Sequence, residues 1–156
     1  EMGKDLSKNF DNKEPVFIGV LNGSFIFLAD LIRNISVDCN IDFIQLKSYE
    51  GMMSSGKVEV VKMISNNLNN RHVVIVEDII ETGNTLKFLY DQITKTFPKS
   101  VTIVTLLKKN MENQLNFHID LIGFEISQDF VVGYGLDYNQ KYRNLDGIYR
   151  LNNNNA

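Results

Sequence analysis

Apolar residues in this chain come mostly in short runs of strand length, and several of these runs are apolar at every position. The runs lie at residues 16–21, 41–46, 58–64, 73–76, 101–107, 121–124 and 130–132. They are rich in β-branched residues, which favour extended structure, and a strand without alternation is typically covered on both faces. The pattern therefore predicts a mainly parallel sheet, because parallel sheets are the ones that helices cover on both sides.

Helical periodicity marks the segments between these runs. In residues 25–35 and 85–97, apolar side chains recur every three or four positions, as on one face of a helix. Residues 1–15 look like the tail of an amphipathic helix that runs into a loop, which suggests an incomplete N-terminal segment. The order strand–helix–strand, seen over 16–46 and again over 73–107, predicts right-handed crossovers in one open sheet. The predicted fold class is α/β, with an open, mainly parallel sheet flanked by helices.

Composition and charge narrow the class of protein. A chain of 156 residues with 44% hydrophobic and 22% charged residues predicts one globular domain over residues 1–156. Its net charge of −3 disfavours sequence-independent binding to nucleic acid. The apolar runs fall short of the ~20 residues of a membrane span, and a single cysteine, Cys39, fits a reducing compartment. We therefore expect a cytoplasmic protein that binds neither nucleic acid nor a membrane.

The stretch most informative about chemistry is VVIVEDIIETGNTL at residues 73–86. An apolar strand ends in the carboxylates Glu77 and Asp78, and a loop then leads into a helix. Ligands of open α/β sheets bind outside the carboxyl ends of strands, and a glycine-containing helix start attracts phosphate. The stretch predicts a phosphate site, without the lysine of a Walker loop, that is formed by Thr82, Gly83, Asn84 and Thr85.

Two acids beside a phosphate site need an explanation of their own. A ribose 5-phosphate provides one, because its 2- and 3-hydroxyls would donate to Glu77 and Asp78 while its phosphate lies on the loop. The alternative is an acidic strand end followed by an ordinary helix that Thr82 or Thr85 caps. Spacing alone leaves both interpretations open.

The same stretch resembles the phosphoribosyl-pyrophosphate motif of the 6-oxopurine phosphoribosyltransferases, the hypoxanthine and hypoxanthine-guanine enzymes. The resemblance continues in unbroken order over about residues 14–151. Further matching segments are LNGS at 21–24 (the pyrophosphate loop), LKSY at 46–49 (the mobile catalytic loop), LLKK at 106–109 (the purine-reading segment), and 130–138 with 142–145 (the base-binding hood). The resemblance implies a type I phosphoribosyltransferase fold whose hood comes mainly from about residues 108–151.

The resemblance also implies an activity in purine salvage. The 5-phosphoribosyl group of 5-phospho-α-D-ribose 1-diphosphate would pass to hypoxanthine, and to guanine, giving IMP or GMP and pyrophosphate. Mg²⁺ is the implied cofactor, with Glu77, Asp78 and Asp137 as the residues that place it. A homodimer or homotetramer is expected of the family. The order of preference among hypoxanthine, guanine and xanthine stays open.

Individual roles follow from the resemblance, residue by residue. Glu81 stands where the family usually has an aspartate as general base near the purine N7, so its side chain is one methylene longer. The implied purine-binding residues are Lys109, which would donate to O6, with Phe130, Val131 and Asp137. The implied pyrophosphate-binding residues are Asn22, Gly23, Ser48, Tyr49 and Arg143. A cis peptide bond between Leu21 and Asn22 is implied as well.

The pattern itself offers plainer alternatives for these residues. Glu81 would then only stabilise a helix start, Lys109 would be a solvated surface lysine, and Phe130 a strand-core residue. For the whole chain, the alternative is a regulatory protein of the same fold that binds the sugar diphosphate without catalysis. Acidic charge and the lack of spare length disfavour it. An enzyme for uracil, orotate or adenine is disfavoured by Lys109 and by residues 130–137.

Overall fold

The structure of the protein, a computed structural model, describes residues 1–48, 58–110 and 117–151. Two sheets are present in this part of the chain, one of six strands in the order β3-β2-β1-β4-β5-β6 and one formed by β7 and β8. The elements in chain order are α1 (Met2–Asn9), β1 (Val16–Leu21), α2 (Phe25–Ile32), β2 (Asn40–Ser48), β3 (Val58–Lys62), β4 (His72–Ile80), α3 (Asn84–Thr94), β5 (Ser100–Lys109), β6 (Leu121–Ile126), β7 (Val131–Val132) and β8 (Tyr149–Arg150).

The large sheet is parallel from β2 through β6, and only the edge strand β3 runs antiparallel to its neighbour β2. This confirms the predicted α/β fold class. The chain proceeds from β1 outward to β2 and β3 on one side, then returns to β4 and proceeds to β5 and β6 on the other. The loops after β1 and β4 therefore diverge, and a crevice opens at the carboxyl ends of these two strands, where ligands bind in such sheets.

Helices cover both faces of the sheet, as the unbroken apolar strands predict. On one face, Leu86, Leu89 and Ile93 of α3 pack against alternate residues of β1 and β4. On the other face, side chains of α1 and α2 pack against the remaining alternate residues, with Phe17 of β1 fully buried among them. In the described part of the chain, no helix has the length and apolar character needed to cross a membrane.

Several boundaries differ from those predicted. Strand β4 continues to Ile80, because β5 runs alongside as far as Lys109 and supplies hydrogen-bonding partners there. Glu77 and Asp78 thus lie inside a strand and not beyond its end. The predicted helices 25–35 and 85–97 end earlier, at Ile32 and Thr94.

Candidate active site

A cleft of about 280 Å³ opens at the carboxyl ends of β1 and β4. Residues from four separate parts of the chain line it, and ten of the predicted site residues, from three of these parts, are among them. These are Asn22 and Gly23 after β1, Glu77, Asp78, Glu81 and Thr85 from β4 to α3, and Phe130, Val131, Asp137 and Arg143 from the last third of the chain. The fold therefore brings together groups that are distant in sequence.

The two acids of β4 lie at the bottom of this cleft, where Glu77 is buried and Asp78 is partly buried. Glu77 is 8% exposed, and its Oε2 atom has no hydrogen-bond partner among the described residues. Burial raises the pKa of Glu77 well above its usual value, and the neighbouring charge of Asp78 adds to this effect. Burial likewise raises the pKa of Asp78 to about 6, although the Arg143 guanidinium acts in the opposite direction. The buried Glu77 oxygen without a partner is suited to a ligand that brings a hydroxyl donor or a cation.

The loop after these acids forms a smaller cavity of about 200 Å³, lined by residues 77–83 together with Thr85 and Leu86. The helix α3 begins after Gly83, which has φ 75°, a conformation that favours glycine. The N-cap residue Gly83 has no side chain to cap this helix start, but the first helical amide, that of Asn84, donates to Thr82 Oγ1 at 3.4 Å, so the capping alternative stays open for Thr82. The remaining first-turn amides have no side-chain partner among the described residues and are free to bind an anion. Asn84 is exposed and lies outside both cavities.

The loop after β1 passes directly over Asp78. A Cβ atom on Gly23 would lie 1.6 Å from Oδ2 of Asp78, so only glycine permits this approach. The peptide bond between Leu21 and Asn22 is cis, as the resemblance implied. The Asn22 side chain lies within 3.4 Å of the amide of Gln45 on the next strand.

Glu81 and Lys109 form an ion pair across the gap between the loop and β5. The Lys109 side chain is buried at 7% exposure, whereas that of Glu81 is 53% exposed. Lys109 is thus not a solvated surface lysine, and Glu81 does more than stand at a helix start. Glu81 lines the cleft. Lys109 does not line it and is connected to it by its ion pair with Glu81.

The side of the cleft opposite the phosphate loop is formed by residues after β6. Phe130 is 46% exposed and lines the cleft just before β7, so the strand-core alternative for it is wrong. Arg143 Nη2 pairs with Asp137 Oδ1 at 2.8 Å. The backbone amide of Gln140 donates to Asp137 Oδ2, also at 2.8 Å. Asp137 therefore has both carboxylate oxygens engaged within its own loop. Pyrophosphate-binding roles for Tyr49 and for the Ser48 side chain lie outside what the structure describes.

Sequence reasoning missed some residues at the cleft. Leu46 and Leu136 line it, and Gln140 accepts a hydrogen bond from Arg143 Nη2 at 3.1 Å. The two leucines look like core residues in the sequence. Gln140 lies just outside the matching segments 130–138 and 142–145, and its position between Asp137 and Arg143 was the signal that could have indicated it.

A family sequence model, described as the phosphoribosyl transferase domain, matches residues 1–139. The chain belongs to the phosphoribosyltransferase family. This phosphoribosyltransferase is 42% identical over 154 residues to the hypoxanthine phosphoribosyltransferase of Buchnera aphidicola, a match that covers 97% of this chain and 87% of that protein. The resemblance seen in the sequence is thereby confirmed.

Solved structures agree with the sequence match. The crystal structure of a hypoxanthine phosphoribosyltransferase from Staphylococcus aureus has a TM-score of 0.91 at 39% identity, covering 97% of this chain and 83% of that one. The enzyme of the same name from Trypanosoma cruzi, complexed with the product IMP, has a TM-score of 0.89 at 35% identity and covers 98% of this chain and 83% of that one. This phosphoribosyltransferase therefore has the type I fold of the hypoxanthine enzymes.

Proposed function

We propose that this phosphoribosyltransferase transfers the 5-phosphoribosyl group from 5-phospho-α-D-ribose 1-diphosphate to hypoxanthine, and to guanine, releasing pyrophosphate. The observation that carries the proposal is the cleft that brings together Glu77, Asp78 and the half-exposed ring of Phe130, and that adjoins the cavity at the start of α3 through Thr85. The relatives named above are enzymes, which supports catalysis over the regulatory alternative.

The sugar phosphate binds at the floor of the cleft in this proposal. Its 5-phosphate accepts hydrogen bonds from the loop of residues 82–85 at the start of α3, where the N-cap residue Gly83 has no side chain. Its 2- and 3-hydroxyls donate to Glu77 and Asp78, which gives the unpartnered Oε2 of Glu77 a donor. The cost of burying these two carboxyl groups is thus offset when the substrate is bound.

The purine binds between Phe130 and Lys109. The Phe130 ring stacks on the base and the backbone of Val131 contacts its edge. The Lys109 ammonium group donates to O6, leaving or sharing its present partner Glu81. Adenine has an amino group at that position, which is itself a donor, so a buried lysine selects 6-oxopurines.

In the reaction, the purine N9 forms a bond to the anomeric carbon as the bond from that carbon to the pyrophosphate oxygen breaks. The proton that the purine loses passes from N7 to the carboxylate of Glu81, which lines the cleft. Charge that develops on the departing pyrophosphate is stabilised by Arg143 and by the loop at Asn22 and Gly23. The Asp137 carboxylate holds the Arg143 guanidinium in place.

The donor set at the cleft fits Mg²⁺ that arrives with the sugar diphosphate. Among the described residues, no group of three His, Cys, Asp or Glu side chains is arranged to hold a metal ion. Mg²⁺ is usually held by one or two carboxylates together with substrate phosphates, and Glu77 and Asp78 supply such carboxylates. When bound, the ion would neutralise charge on the diphosphate. Asp137, whose oxygens are engaged, would serve only by leaving Arg143.

The proposal also includes the oligomeric state of the protein and its location in the cell. The resemblance supports a homodimer or homotetramer, which light scattering of the purified protein would detect. A cytoplasmic location is consistent with the single cysteine, Cys39, and with a substrate that is a phosphorylated metabolite.

Initial rates with hypoxanthine, guanine, xanthine and adenine, each with and without Mg²⁺, test the proposed function. We expect turnover of hypoxanthine and guanine that depends on Mg²⁺, and none of adenine. Turnover of adenine at a comparable rate would contradict the proposed role of Lys109. Tight binding of the sugar diphosphate without turnover of any base would favour the regulatory alternative.

A further inference from the structure

The segment Val131 to Asp137, which we call the purine-side segment, lies directly against the loop that follows β1. A Cβ atom on Gly135 would lie 2.1 Å from the carbonyl oxygen of Gly23, so the two backbones are in direct contact. Gly135 also donates to the Arg143 carbonyl at 3.0 Å and accepts from Arg143 Nη1 at 2.8 Å. The purine side and the pyrophosphate side of the cleft therefore meet at one backbone contact.

A second contact lies next to the first and is made by a side chain. The Tyr134 hydroxyl donates to Oδ2 of Asp30, a residue that is 104 positions away in the chain. Asp30 belongs to α2, which begins two residues after Gly23. Since α2 packs on the sheet through Phe27, Leu28 and Leu31, this hydrogen bond ties the purine-side segment to a rigid element.

The backbone around Tyr134 is held in an unusual conformation. Gly133, Tyr134 and Gly135 all have positive φ, of 95°, 51° and 100°. Glycine adopts such values freely, but a residue with a side chain does so only where its surroundings hold it there. The turn is closed by two hydrogen bonds between Gly133 and Leu136, each 3.0 Å long. Side-chain hydrogen bonds hold this turn from outside, one from Arg143 Nη1 to the Gly135 carbonyl and one from the Tyr134 hydroxyl to Asp30.

The Tyr134 hydroxyl stays protonated over the whole working range of an enzyme. Burial raises the pKa of Tyr134 to about 12, and the hydrogen bond to Asp30 adds to this effect. The Tyr134 hydroxyl is therefore always available as a donor to the Asp30 carboxylate. A hydrogen bond to such a charged acceptor is stronger than one between neutral groups.

We propose that Tyr134 is a positioning residue for the purine: its hydrogen bond to Asp30 holds the purine-side segment, and with it Val131 and Asp137, at the distance from the pyrophosphate loop that a bound 6-oxopurine requires. This inference rests on the proposed function. It adds two residues, Tyr134 and Asp30, that touch no substrate atom and act through the segment that does.

The variant Tyr134→Phe tests the inference because it keeps the ring and removes only the donor. We expect the KM for hypoxanthine to rise about tenfold, while kcat changes less than about twofold, since positioned binding is lost equally in ground and transition states. The KM for the sugar diphosphate should change less than about threefold. Tyr149→Phe is the matched control, because Tyr149 donates in the same way to Asp146 but only three residues away. The Tyr149→Phe variant should have the same KM for hypoxanthine as the unmodified protein.

Asp30 provides the rescue experiment. Asp30→Asn keeps an oxygen that accepts from Tyr134 and should retain a hypoxanthine KM near that of the unmodified protein, whereas Asp30→Ala should resemble Tyr134→Phe. Asp30 also pairs with the exposed Arg33, a contact that the Asp30 variants alter and Tyr134→Phe does not. The hypoxanthine KM of the double variant Tyr134→Phe/Asp30→Ala should be no worse than that of Asp30→Ala, because the Tyr134–Asp30 hydrogen bond is already absent there.

Each other result overturns the inference. An unchanged hypoxanthine KM in Tyr134→Phe, a loss confined to kcat, or additive losses in the double variant would each do so. If Tyr134→Phe does not fold, equal KM values for Asp30→Asn and Asp30→Ala overturn it instead. An unmodified protein that turns over no 6-oxopurine removes the proposed function, and this inference falls with it. An active unmodified protein beside an unaffected Tyr134→Phe removes the inference alone.

Discussion

At the scale of single residues, the buried ammonium group of Lys109 requires a hydrogen-bond acceptor both in the free protein and with a purine bound. The Lys109 side chain is 7% exposed, so the ammonium group requires an acceptor at all times, and Glu81 supplies one in the free protein. A purine that brings a carbonyl oxygen to the same place can take over this role. A purine that brings an amino group cannot.

Replacing Lys109 with methionine should therefore weaken purine use selectively. Methionine keeps the packing of the side-chain stem, but the O6 atom of the base loses its donor at a cost of ~1–3 kcal/mol. We expect the specificity constant for hypoxanthine to fall ~10–100-fold, with little change in the KM of the sugar diphosphate. Initial rates with each substrate varied in turn measure both quantities.

Lys108→Met is the control for this variant. Lys108 is the preceding residue on β5, it pairs with Glu125 at 3.0 Å, and its side chain is 26% exposed. This substitution should leave both specificity constants near those of the unmodified protein. Equal losses for purine and sugar diphosphate in Lys109→Met would contradict the assignment of Lys109 to the base.

Glu81 can be tested separately for proton transfer and for side-chain length. Glu81→Gln keeps an oxygen that can accept from Lys109 and removes the base, so we expect the single-turnover rate to fall ~10²–10⁴-fold with nucleotide binding preserved. Glu81→Asp shortens the side chain by one methylene and draws the carboxylate away from Lys109. We expect it to cost about 1–2 kcal/mol in the chemical step. A Gln variant at the unmodified rate would remove Glu81 from the mechanism.

The roles of Lys109 and Phe130 show what the sequence could not provide. Their residue types and strand-end positions are equally typical of surface and core residues, and only the resemblance favoured the site. The ion pair between Glu81 and Lys109 joins residues that are 28 positions apart. No local pattern contains that information, because it depends on the parallel pairing of β4 with β5.

At the scale of elements, Asp42 fixes strand β2 to the turn that follows β3. Its buried carboxylate accepts hydrogen bonds from the amides of Phe43, Ser65 and Asn66 at 2.7–2.8 Å, and from the Asn66 side chain at 2.9 Å. Burial alone would raise the pKa of Asp42, but the hydrogen bonds more than reverse this and hold its pKa well below the usual value of 3.8. The antiparallel edge strand is thus anchored by one side chain.

Asp42→Asn should destabilise the protein by about 2–4 kcal/mol at pH 7, because an amide replaces the charged acceptor and directs a donor at backbone amides. Since the pKa is lowered in the folded state, the stabilisation by Asp42 is complete above its unfolded value of 3.8. It is lost as the pH falls below that value toward the folded pKa. The difference in free energy of unfolding between the two proteins should therefore shrink between about pH 5 and pH 2.

Chemical denaturation at several pH values measures this difference. Asp91→Asn is the control, because Asp91 pairs with Lys87 on the surface of α3 and its side chain is 45% exposed. That pair should contribute less than about 1 kcal/mol. A difference for Asp42→Asn that does not vary with pH would show that the hydrogen bonds do not act through the charge.

Unbroken apolar strands were predicted with the right bounds more often than the periodic helices, and the pairing of the short strands was not predicted. The bounds of β1 match the predicted run, since buried strands of a parallel sheet have a clear composition. The pairing of β7 with β8 had no such signal, because Val131–Val132 and Tyr149–Arg150 are two residues each and 16 residues separate them in the chain. Short strands of this kind are defined by their tertiary contacts.

At the scale of the whole molecule, the cleft depends on the reversal of strand order between β1 and β4. The sheet could be predicted from apolar runs, whereas the strand order could not, because apolar runs specify neither neighbours nor direction. The order β3-β2-β1-β4-β5-β6 places the acids of β4 next to the loop after β1. The resemblance implied that these residues lie close together, because the family motifs to which they belong bind the same substrate.

The arrangement predicts how the whole protein responds to its ligands. The pKa values of Glu77 and Asp78 are raised, so protons compete with a lone divalent ion for these carboxylates, and we expect the free protein to bind Mg²⁺ weakly. Mg²⁺ alone should leave the melting temperature unchanged. Mg²⁺ with the sugar diphosphate at about 100 times its Kd should raise it by about 5–10 °C.

The variant Glu77→Gln/Asp78→Asn separates the chemistry of this site from its cost in stability. Neutral amides of similar size relieve the burial of two carboxyl groups, so we expect a melting temperature equal to or above that of the unmodified protein. The same change replaces two charged acceptors for the ribose hydroxyls and Mg²⁺ by neutral amides that each keep one weaker acceptor oxygen. We therefore expect Mg²⁺ with the sugar diphosphate to raise the melting temperature little, and most of the turnover to be lost. Differential scanning calorimetry with Mg²⁺, with a chelator and with the sugar diphosphate measures each arm. A rise of several degrees in melting temperature with Mg²⁺ alone would instead show that the free protein binds a metal ion. A melting temperature of the variant that rises as much with the sugar diphosphate as that of the unmodified protein would show that Glu77 and Asp78 do not bind the sugar.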